Sequence, residues 1–488
     1  MAKLTENRFW RSLFRRPLPD SDLDRMLTMF SNFFLHILPA KVHRHSLKPG
    51  ATWGLGVISF VLFLVLIVTG VLLMFFYVPS VERAYRDMKD LKYVVSYGVI
   101  LRNMHRWAAH GMVAAVFLHM VRVFFTGSYK PPREFNWVLG ILLWGITLLL
   151  SFTGYLLPWD QLAYWAITVG TSIASYPPWI GEKIRVLLLG GNIVGESALL
   201  RFYVLHVVFL PMVLMVLAAV HFWRVRKDGG IARPIALALH PVAGGGPTSA
   251  EATARFVPGP LKTYTLVELV RGTSPQVGIQ APEEEVPSWP HLTMRLLIVF
   301  ELVLVVLTAV SFLFDAPLLE QANPVRPDNP AKAPWYFLGI QELVSYSALV
   351  GGVLVPAIAL LGLMSIPYMD RDRSDQGIWF GSPAGKRAAW ISFLLTVLVI
   401  PALLFLDSRF GVRQVAPGAP QFFTDLLNPA SVLTTLMAVS SFLTWRATRS
   451  RRLGAMVLFT AFVSAYLVFT VIGTYFRGPN WVWVWPWQ

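Results

Sequence analysis

Residues 98–125 read GVILRNMHRWAAHGMVAAVFLHMVRVFF, and residues 200–224 read LRFYVLHVVFLPMVLMVLAAVHFWR. Each of these long apolar stretches contains a spaced pair of histidines, namely His105 with His119 and His206 with His221. Four helical turns take about 14.4 residues, so pairs fourteen and fifteen residues apart lie near one helix face, roughly 21 Å apart. Neutral histidine is costly in a membrane unless it binds something. Two such helices can face each other and hold two flat metal cofactors, one near each side of a membrane.

The composition is that of a polytopic membrane protein. Of the 488 residues, 55% are hydrophobic and 14% are charged, against about a quarter charged in soluble proteins. The net charge of +15 is explained by basic residues on alternate loops, so we do not expect nucleic acid as a partner. The absence of cysteine excludes disulfides, thiolate-bound iron–sulfur clusters and covalent heme attachment within this chain.

Hydropathy predicts an all-α fold with nine membrane-spanning helices. The predicted segments are 53–77, 98–125, 136–157, 200–224, 294–314, 344–366, 388–407, 430–447 and 454–475. Alternate loops are rich in arginine and lysine, which predicts that they and the N-terminus lie on the cytoplasmic side of the membrane. The predicted parts are an amphipathic N-terminal segment (1–50), a four-helix bundle (51–226), a cytoplasmic linker (227–292) and a C-terminal transmembrane domain (293–488).

The topology determines which histidines share a cofactor. The second and fourth segments both run inward, so we predict His105 with His206 on the outer side and His119 with His221 on the inner side. Iron held by two imidazoles, as in heme, fits each pair. The alternative is that each histidine only forms hydrogen bonds within the helix bundle. His110 lies about 140° around the helix from His105, so we expect it to be structural.

Glycines and arginines support the two-heme interpretation. The first segment has Gly56 and Gly70, and the third has Gly140 and Gly154, again fourteen residues apart. Such glycines would let a flat group approach the helix backbone, although small-residue packing between helices is the alternative. Arginines near the ligands could pair with heme propionates, or simply extend to the membrane surface. They are Arg102, Arg106, Arg122, Arg201 and Arg226.

Two further motifs are predicted to lie on the outer face. Pro158-Trp159-Asp160-Gln161 follows the third segment, and an interfacial aromatic belt explains its tryptophan better than its aspartate. Ala333-Pro334-Trp335-Tyr336-Phe337, with Gln341-Glu342 after it, precedes the sixth segment. The tail from Trp481 to Trp487 is expected to anchor at the outer interface, with contact to a partner subunit as the alternative.

Together these residues resemble the cytochrome b subunit of the quinol:cytochrome c oxidoreductase family. The resemblance covers most of residues 30–370, and the N-terminal half is most similar to the chloroplast type. It is carried by Arg102-Asn-Met-His105-Arg106-Trp107, by 126–134 (TGSYKPPRE) and by 153–161 (TGYLLPWDQ). The resemblance implies a low-potential outer heme and a high-potential inner heme. It also implies quinol oxidation at an outer pocket beside Trp335 and Tyr336, and quinone reduction at an inner pocket.

The chain departs from the family pattern at three places. The family's Pro-Glu-Trp-Tyr motif is replaced by Ala333-Pro334-Trp335-Tyr336, so its proton-accepting glutamate is absent. Glu342 and Asp160 are the candidate replacements, and the missing glutamate favours menaquinol as the substrate. Gly54 stands where chloroplast-type members have a heme-binding cysteine, so no covalent heme is expected. Finally, the two halves, separate in the chloroplast type, are fused here.

The resemblance implies a bifurcated reaction. One quinol electron would pass to a Rieske iron–sulfur partner and on to a c-type cytochrome subunit, and the other would cross between two b hemes to an inner quinone. The complex would be homodimeric, with membrane lipid around it. Two alternatives remain open: a diheme membrane anchor of a dehydrogenase, and a heme-free transporter that relays protons through its histidines.

Overall fold

The computed structural model describes residue 12 and residues 21–32, 35–234, 285–370 and 375–487. Most of the predicted N-terminal surface helix, and residues 235–284 of the predicted linker, lie outside this range. The chain divides into two compact units. The first comprises Met1–Trp53 with Gly230–Leu297, and the second comprises Gly54–Gly229 with Ile298–Gln488. Both predicted transmembrane halves therefore contribute to the second unit.

The first unit joins the N-terminal segment to the end of the predicted linker. Helix α1 (Asp22–Ser31) begins at Ser21, whose hydroxyl accepts the amide N–H of Asp24 at 3.1 Å and so satisfies a free helix donor. Strand β1 (Lys41–His43) pairs antiparallel with β2 (Glu285–Pro287), and the short helix α2 covers Pro49–Thr52. Short 3₁₀ turns cover Leu35–Ile37 and Arg44–Leu47.

The rest of the described chain is helical. The N-terminal half contributes α3 (Leu55–Met74), α4 (Ala84–Tyr93), α5 (Gly98–Phe125), α6 (Glu134–Tyr155), α7 (Gln161–Ala174), α8 (Gly181–Leu189) and α9 (Glu196–Lys227). The C-terminal half contributes α10 (Ser288–Leu313), α11 (Trp335–Tyr346), α12 (Val350–Met369), α13 (Pro383–Phe410), α14 (Val412–Val415), α15 (Gln421–Leu427), α16 (Pro429–Thr448) and α17 (Arg451–Tyr475). A last 3₁₀ turn covers Pro479–Trp481.

The predicted all-α membrane fold is confirmed. Among the described residues, eight helices are long and apolar enough to span a membrane, and each overlaps one of the predicted segments, with ends that differ by eight residues at most. The predicted span 430–447 corresponds to α16, which follows α15 at a bend of 44°, and the two helices qualify as a span only together. The count is therefore eight, or nine if this bent pair is one span.

The two histidine-bearing helices belong to one bundle. Helix α5 packs along α3 and also touches α6, while α9 packs along α6. The interior between α3 and α5 is filled by residues such as Leu62, Val65, Ala108 and Met112, which are almost fully buried. Between membrane helices such packing stabilises the bundle through van der Waals contact and not through removal of apolar surface from water. The bundle thereby fixes the depth of α5 relative to its neighbours.

Helix α9 contains a π-helical turn at Leu205–Phe209, which includes His206. A π turn closes i→i+5 hydrogen bonds and so takes one more residue than an α turn. Pro211 follows at once, where the missing backbone N–H disfavours an ordinary α turn. This extra residue explains why fifteen residues separate His206 from His221 while fourteen separate His105 from His119.

Short helices that the sequence did not predict form a layer at the end of the bundle that is predicted to be outside. Helices α7 and α8 pack on one another, and α8 packs on the start of α9. Leu156, Trp159, Ile167 and Leu199 form the centre of their buried cluster. The motif at Pro158–Gln161 is therefore part of a folded layer, with Asp160 as the N-cap of α7.

The last helix, α17, is anchored to the loop after α5 by buried charges. Lys130 is fully buried and forms ion pairs with Asp375 and, at 3.4 Å, with Asp370. Arg452, near the start of α17, forms a 2.9 Å ion pair with Asp375 and donates to the Tyr129 hydroxyl at 2.7 Å. Two cations and two carboxylates thus balance in one buried cluster. We call these four residues and Tyr129 the inner clamp.

Candidate functional site

The structure brings the four predicted ligand histidines together in the predicted pairs. The ring centres of His105 and His206 are 6.2 Å apart, and those of His119 and His221 are 6.5 Å apart. Imidazole–metal bonds are about 2 Å long and a ring centre lies ~1 Å behind its nitrogen, so two rings on one metal ion have centres about 6 Å apart. Each pair is spaced to coordinate one iron from opposite sides.

The ring nitrogens of the outer pair are oriented by the surrounding helices. The hydroxyl of Thr69 donates to the carbonyl of Val65 at 2.6 Å, so its oxygen accepts from Nδ1 of His105 at 2.9 Å. Nδ1 of His206 donates to the carbonyl of Leu150 at 3.1 Å. A proton on Nδ1 leaves Nε2 unprotonated and available as a metal ligand. Sequence reasoning missed these two partners.

The four predicted glycines each lie against one ligand histidine. A Cβ atom at Gly70 would lie 3.3 Å from Cε1 of His105, and one at Gly56 would lie 3.3 Å from Cε1 of His119. A Cβ at Gly140 would be 3.8 Å from Cε1 of His221. A Cβ at Gly154 would overlap the ring of His206. The matched spacing of the glycines thus follows the spacing of the histidines, and the absence of a Cβ atom lets each ring approach the backbone of the neighbouring helix.

The inner pair contains an unpartnered ring nitrogen. Nδ1 of His119 is buried and has no hydrogen-bond partner among the described residues. Buried polar atoms in folded proteins are usually hydrogen-bonded to protein or water, so this one suits a site that binds a ligand. No group of three or more metal-binding side chains occurs in the described part of the chain. Two facing imidazoles beside a glycine backbone are a donor set that fits heme.

A cavity of about 250 Å³ opens beside the outer pair. Its wall includes His105, His206, Gly70 and Gly154, and it is otherwise mainly apolar. Arg102 and Arg106 also line the cavity, as predicted for residues that bind propionates. Arg102 donates to the carbonyls of Ala316 and Pro317 at 2.7 and 2.6 Å, which fixes its position.

The other three predicted arginines differ in position. Arg122 is buried one turn beyond His119, in agreement with a place near the inner pair. Arg201 is exposed and donates to the carbonyl of Leu187, so it points away from the cavity beside His206. Arg226 is exposed at the end of α9. The structure therefore groups Arg102, Arg106 and Arg122 with the histidines and leaves Arg201 and Arg226 at the periphery.

His110 lies on the wall of the outer cavity. Its Nε2 receives the Nε–H of Arg106 at 3.0 Å, and its Nδ1 receives the Nε1–H of Trp335 at 3.0 Å. The sequence placed this residue away from the ligand face, and it does not join the ligand pairs. His110 connects Arg106, the arginine beside His105, to the Trp335-Tyr336 segment. In the sequence, only the position of Arg106 next to His105 pointed to this connection.

Trp335 and Tyr336 begin helix α11 next to this cavity. The ring of Tyr336 lies 5.6 Å from that of His110, and Tyr336 itself lines the cavity. Burial raises the pKa of the Tyr336 hydroxyl to about 12, so this phenol stays protonated at physiological pH. Tyr336 can therefore donate a hydrogen bond into the pocket but does not serve as an anionic base.

Asp160 and Glu342, the two candidate proton acceptors, both have structural partners. Asp160 accepts the amide N–H groups of Ala163 at 2.9 Å and of Leu319 at 3.2 Å, and burial is the largest effect, raising the pKa of its carboxyl. Glu342 is fully buried and is bound by Arg477, with Nε to Oε2 at 3.0 Å, and by Nε1 of Trp481 at 2.8 Å. Neither carboxylate lines the outer cavity.

Comparison with known proteins identifies the N-terminal half. The family model for cytochrome b/b6/petB matches residues 44–229. Cytochrome b6 of Heliomicrobium gestii is 42% identical over 175 residues, which are 36% of this chain and 82% of that protein. The menaquinol:cytochrome c reductase cytochrome b subunit of Bacillus subtilis (strain 168) is 39% identical over 211 residues, or 43% of this chain and 94% of that protein.

The fold of the whole chain has a counterpart among solved structures. A chain of a hyperthermophilic respiratory Complex III superposes with a TM-score of 0.57, and the superposition covers 97% of this chain and 98% of that chain. The sequence identity is 20%, so this likeness concerns the fold alone. It extends the architectural match into the C-terminal half, beyond the region that the sequence relatives cover.

Proposed function

Because the chain belongs to the cytochrome b/b6 family, we propose that it is the diheme cytochrome b subunit of a quinol:cytochrome c oxidoreductase. The observation that carries the proposal is that each histidine pair takes one residue from α5 and one from α9. His105 of α5 faces His206 of α9, and His119 faces His221, with ring centres 6.2 and 6.5 Å apart. A membrane bundle with two such pairs at two depths can hold two b hemes.

We infer the following roles for the chain's own residues. Bound heme would supply an iron that gains and loses one electron. His105 and His206 would hold it through Nε2, because their Nδ1 atoms are bound by Thr69 and by the carbonyl of Leu150. The four glycines let the histidine rings lie close to the helix backbone, and apolar side chains exclude water. Arg102 and Arg106 provide positive charge near the outer pair, where a propionate needs it.

We propose that quinol is oxidised on the outer side, where Tyr336 lines the cavity and Trp335 donates a hydrogen bond to His110 on the cavity wall. One electron would leave to a Rieske iron–sulfur partner and then to a c-type cytochrome subunit. The other would move inward, from the outer histidine pair to the inner one. Two quinol oxidations would supply the two electrons that, with two protons taken up on the inner side, reduce one quinone to quinol there. Since the chain has no cysteine, a partner must provide the iron–sulfur cluster. We propose a homodimeric complex in a bacterial cytoplasmic membrane.

The quinol and its proton acceptor are part of the same proposal. The missing motif glutamate favours menaquinol, and the Bacillus subtilis relative carries menaquinol in its name. Glu342 and Asp160 stay candidate acceptors, but their contacts support structural roles. Replacing Glu342 with Gln should slow quinol oxidation if its carboxylate takes the proton. If Glu342 only holds Arg477 and Trp481, the variant loses thermal stability and the rate per folded protein stays near the parent value.

The central experiment is heme analysis of the purified protein. We expect two noncovalent b hemes per chain by pyridine hemochrome, and two midpoints in a redox titration. His221→Leu should remove the inner heme and leave the outer one, with His105→Leu as the reciprocal variant. Absence of b heme would exclude both the oxidoreductase and the diheme anchor and leave the proton-relaying transporter. Two hemes without quinol:cytochrome c activity in the intact complex would favour the anchor.

A further inference from the structure

His110 is approached by two groups that can only donate hydrogen bonds. The Nε–H of Arg106 points at its Nε2, and the Nε1–H of Trp335 points at its Nδ1, each at 3.0 Å. A neutral imidazole carries a proton on one nitrogen and can accept at the other alone. One of the two contacts therefore sets an N–H against an N–H. No tautomer of neutral His110 satisfies both neighbours.

A contact between two N–H groups is relieved when a hydrogen-bond acceptor binds both of them. If Trp335 donates to Nδ1, the proton of His110 sits on Nε2, on the side of Arg106 and the cavity. The guanidinium of Arg106 lies over the ring of Tyr155 at 4.9 Å, and it takes part in none of the ion pairs among the described residues. A cation and a neutral N–H donor thus stand side by side on the wall of the outer cavity without a carboxylate to bind.

We propose that Nε2–H of His110 and the guanidinium of Arg106 together bind one anionic oxygen, a propionate of the heme that His105 and His206 would hold. This inference rests on the proposed function. Arg102 lines the same cavity, but two of its terminal nitrogens already donate to the carbonyls of Ala316 and Pro317. Of the two arginines, Arg106 is therefore the one that the described residues do not hold on backbone carbonyls, and it stands beside His110 at this wall. Trp335 acts as a positioning residue, because its N–H determines which nitrogen of His110 carries the proton.

This arrangement would make the outer heme sensitive to α11. A propionate charge stabilises the oxidised, more positive iron, and hydrogen bonds to the propionate offset that effect. Losing the His110 donor should therefore make the midpoint potential of the outer heme more negative. Because the inner pair lies about four helical turns further along α5 and α9, its heme should keep its potential.

The test is a redox titration of quinone-depleted complex with two variants. His110→Leu removes both nitrogens, whereas His110→Gln retains an acceptor for Trp335 and an N–H donor. We expect the outer midpoint to become more negative in His110→Leu, to stay near the parent value in His110→Gln, and the inner midpoint to be unchanged in both. An unchanged outer midpoint in His110→Leu overturns the proposal. If the KM for quinol also rises in that variant, the oxygen that His110 binds belongs to the substrate and not to a propionate.

A third variant, Trp335→Phe, keeps the test decisive if His110→Leu does not assemble. Trp335→Phe removes the indole N–H but keeps an aromatic ring, so His110 can turn its acceptor nitrogen to Arg106 and lose its donor toward the cavity. A negative shift of the outer midpoint is again expected, and no shift contradicts the inference. Failure of the proposed function looks different, since the parent protein would then show no outer b heme to titrate.

Discussion

Gly154 is the residue at which one methyl group should most affect the candidate site. A Cβ atom there would overlap the ring of His206, with Nδ1 and Nε2 both at 2.9 Å. Because the carbonyl of Leu150, one turn earlier on the same helix, accepts from Nδ1 of this ring, the ring cannot move away from α6 without losing that hydrogen bond. We expect Gly154→Ala to lose the outer heme, so that heme content falls from about two toward one per chain. Optical redox titration would show which signal is lost.

Gly140 provides the matched control, since a Cβ there would lie 3.8 Å from Cε1 of His221, an ordinary van der Waals distance. Gly140→Ala should therefore keep both hemes. Equal heme loss in the two variants would show that the glycines act through general helix packing, which was the alternative interpretation of their spacing.

Individual residues also show where sequence reasoning succeeded and where it stopped. The pairing of His105 with His206 follows from helical periodicity and chain direction alone. Thr69 and Thr153 each precede a predicted glycine. This repeated Thr-Gly dipeptide could have indicated the hydroxyl oxygens that lie 2.9 Å from Nδ1 of His105 and 3.3 Å from Nδ1 of His206. The contact of His110 with Trp335 could not be foreseen, because 225 residues separate the two and only the tertiary fold joins them.

At the scale of elements, the inner clamp gives the last helix a testable role. Removing Arg452 leaves Asp375 buried with Lys130 alone and leaves the Tyr129 hydroxyl without its arginine donor. Breaking a buried ion pair from one side typically costs about 3–5 kcal/mol. We expect Arg452→Met to lower the apparent melting temperature of the detergent-solubilised protein by several degrees.

Arg451 is the matched control for the inner clamp. It is exposed, lies next to Arg452 in the sequence and rests near the ring of Trp445 at 5.9 Å. Exposed charges contribute little to stability, so Arg451→Met should shift the melting temperature far less. A similar loss in both variants would mean that the net charge of this loop, and not the clamp, stabilises α17.

The elements divide into those that periodicity predicts and those that packing decides. The spanning helices were predictable because a membrane requires about 20 apolar residues in each. The short helices α7, α8 and α11 were not, since their polar and aromatic residues are also typical of an interface. The π turn at Leu205–Phe209 is visible in the sequence only as one additional residue between His206 and His221.

At the scale of the whole molecule, the orientation in the membrane is predicted from the basic loops. Two of those basic residues, Lys130 and Arg452, are neutralised inside the inner clamp, so the orientation depends on the remaining arginines and lysines. The chain has no cysteine, so a single introduced cysteine would be the one thiol in it. Ala416 lies in an exposed loop predicted to be outside, and Ala447 lies at an exposed helix end predicted to be inside.

We expect a membrane-impermeant maleimide to label Ala416→Cys in intact spheroplasts and to label Ala447→Cys only after the membrane is permeabilised. The physical reason is that Arg446, Arg449 and Arg451 cluster beside Ala447, and such charge is retained on the cytoplasmic side. Labelling of the cysteine-free parent measures the background. The reverse pattern would invert the molecule, placing His119 and His221 on the outer side, and quinol oxidation beside Trp335 would then face the cytoplasm.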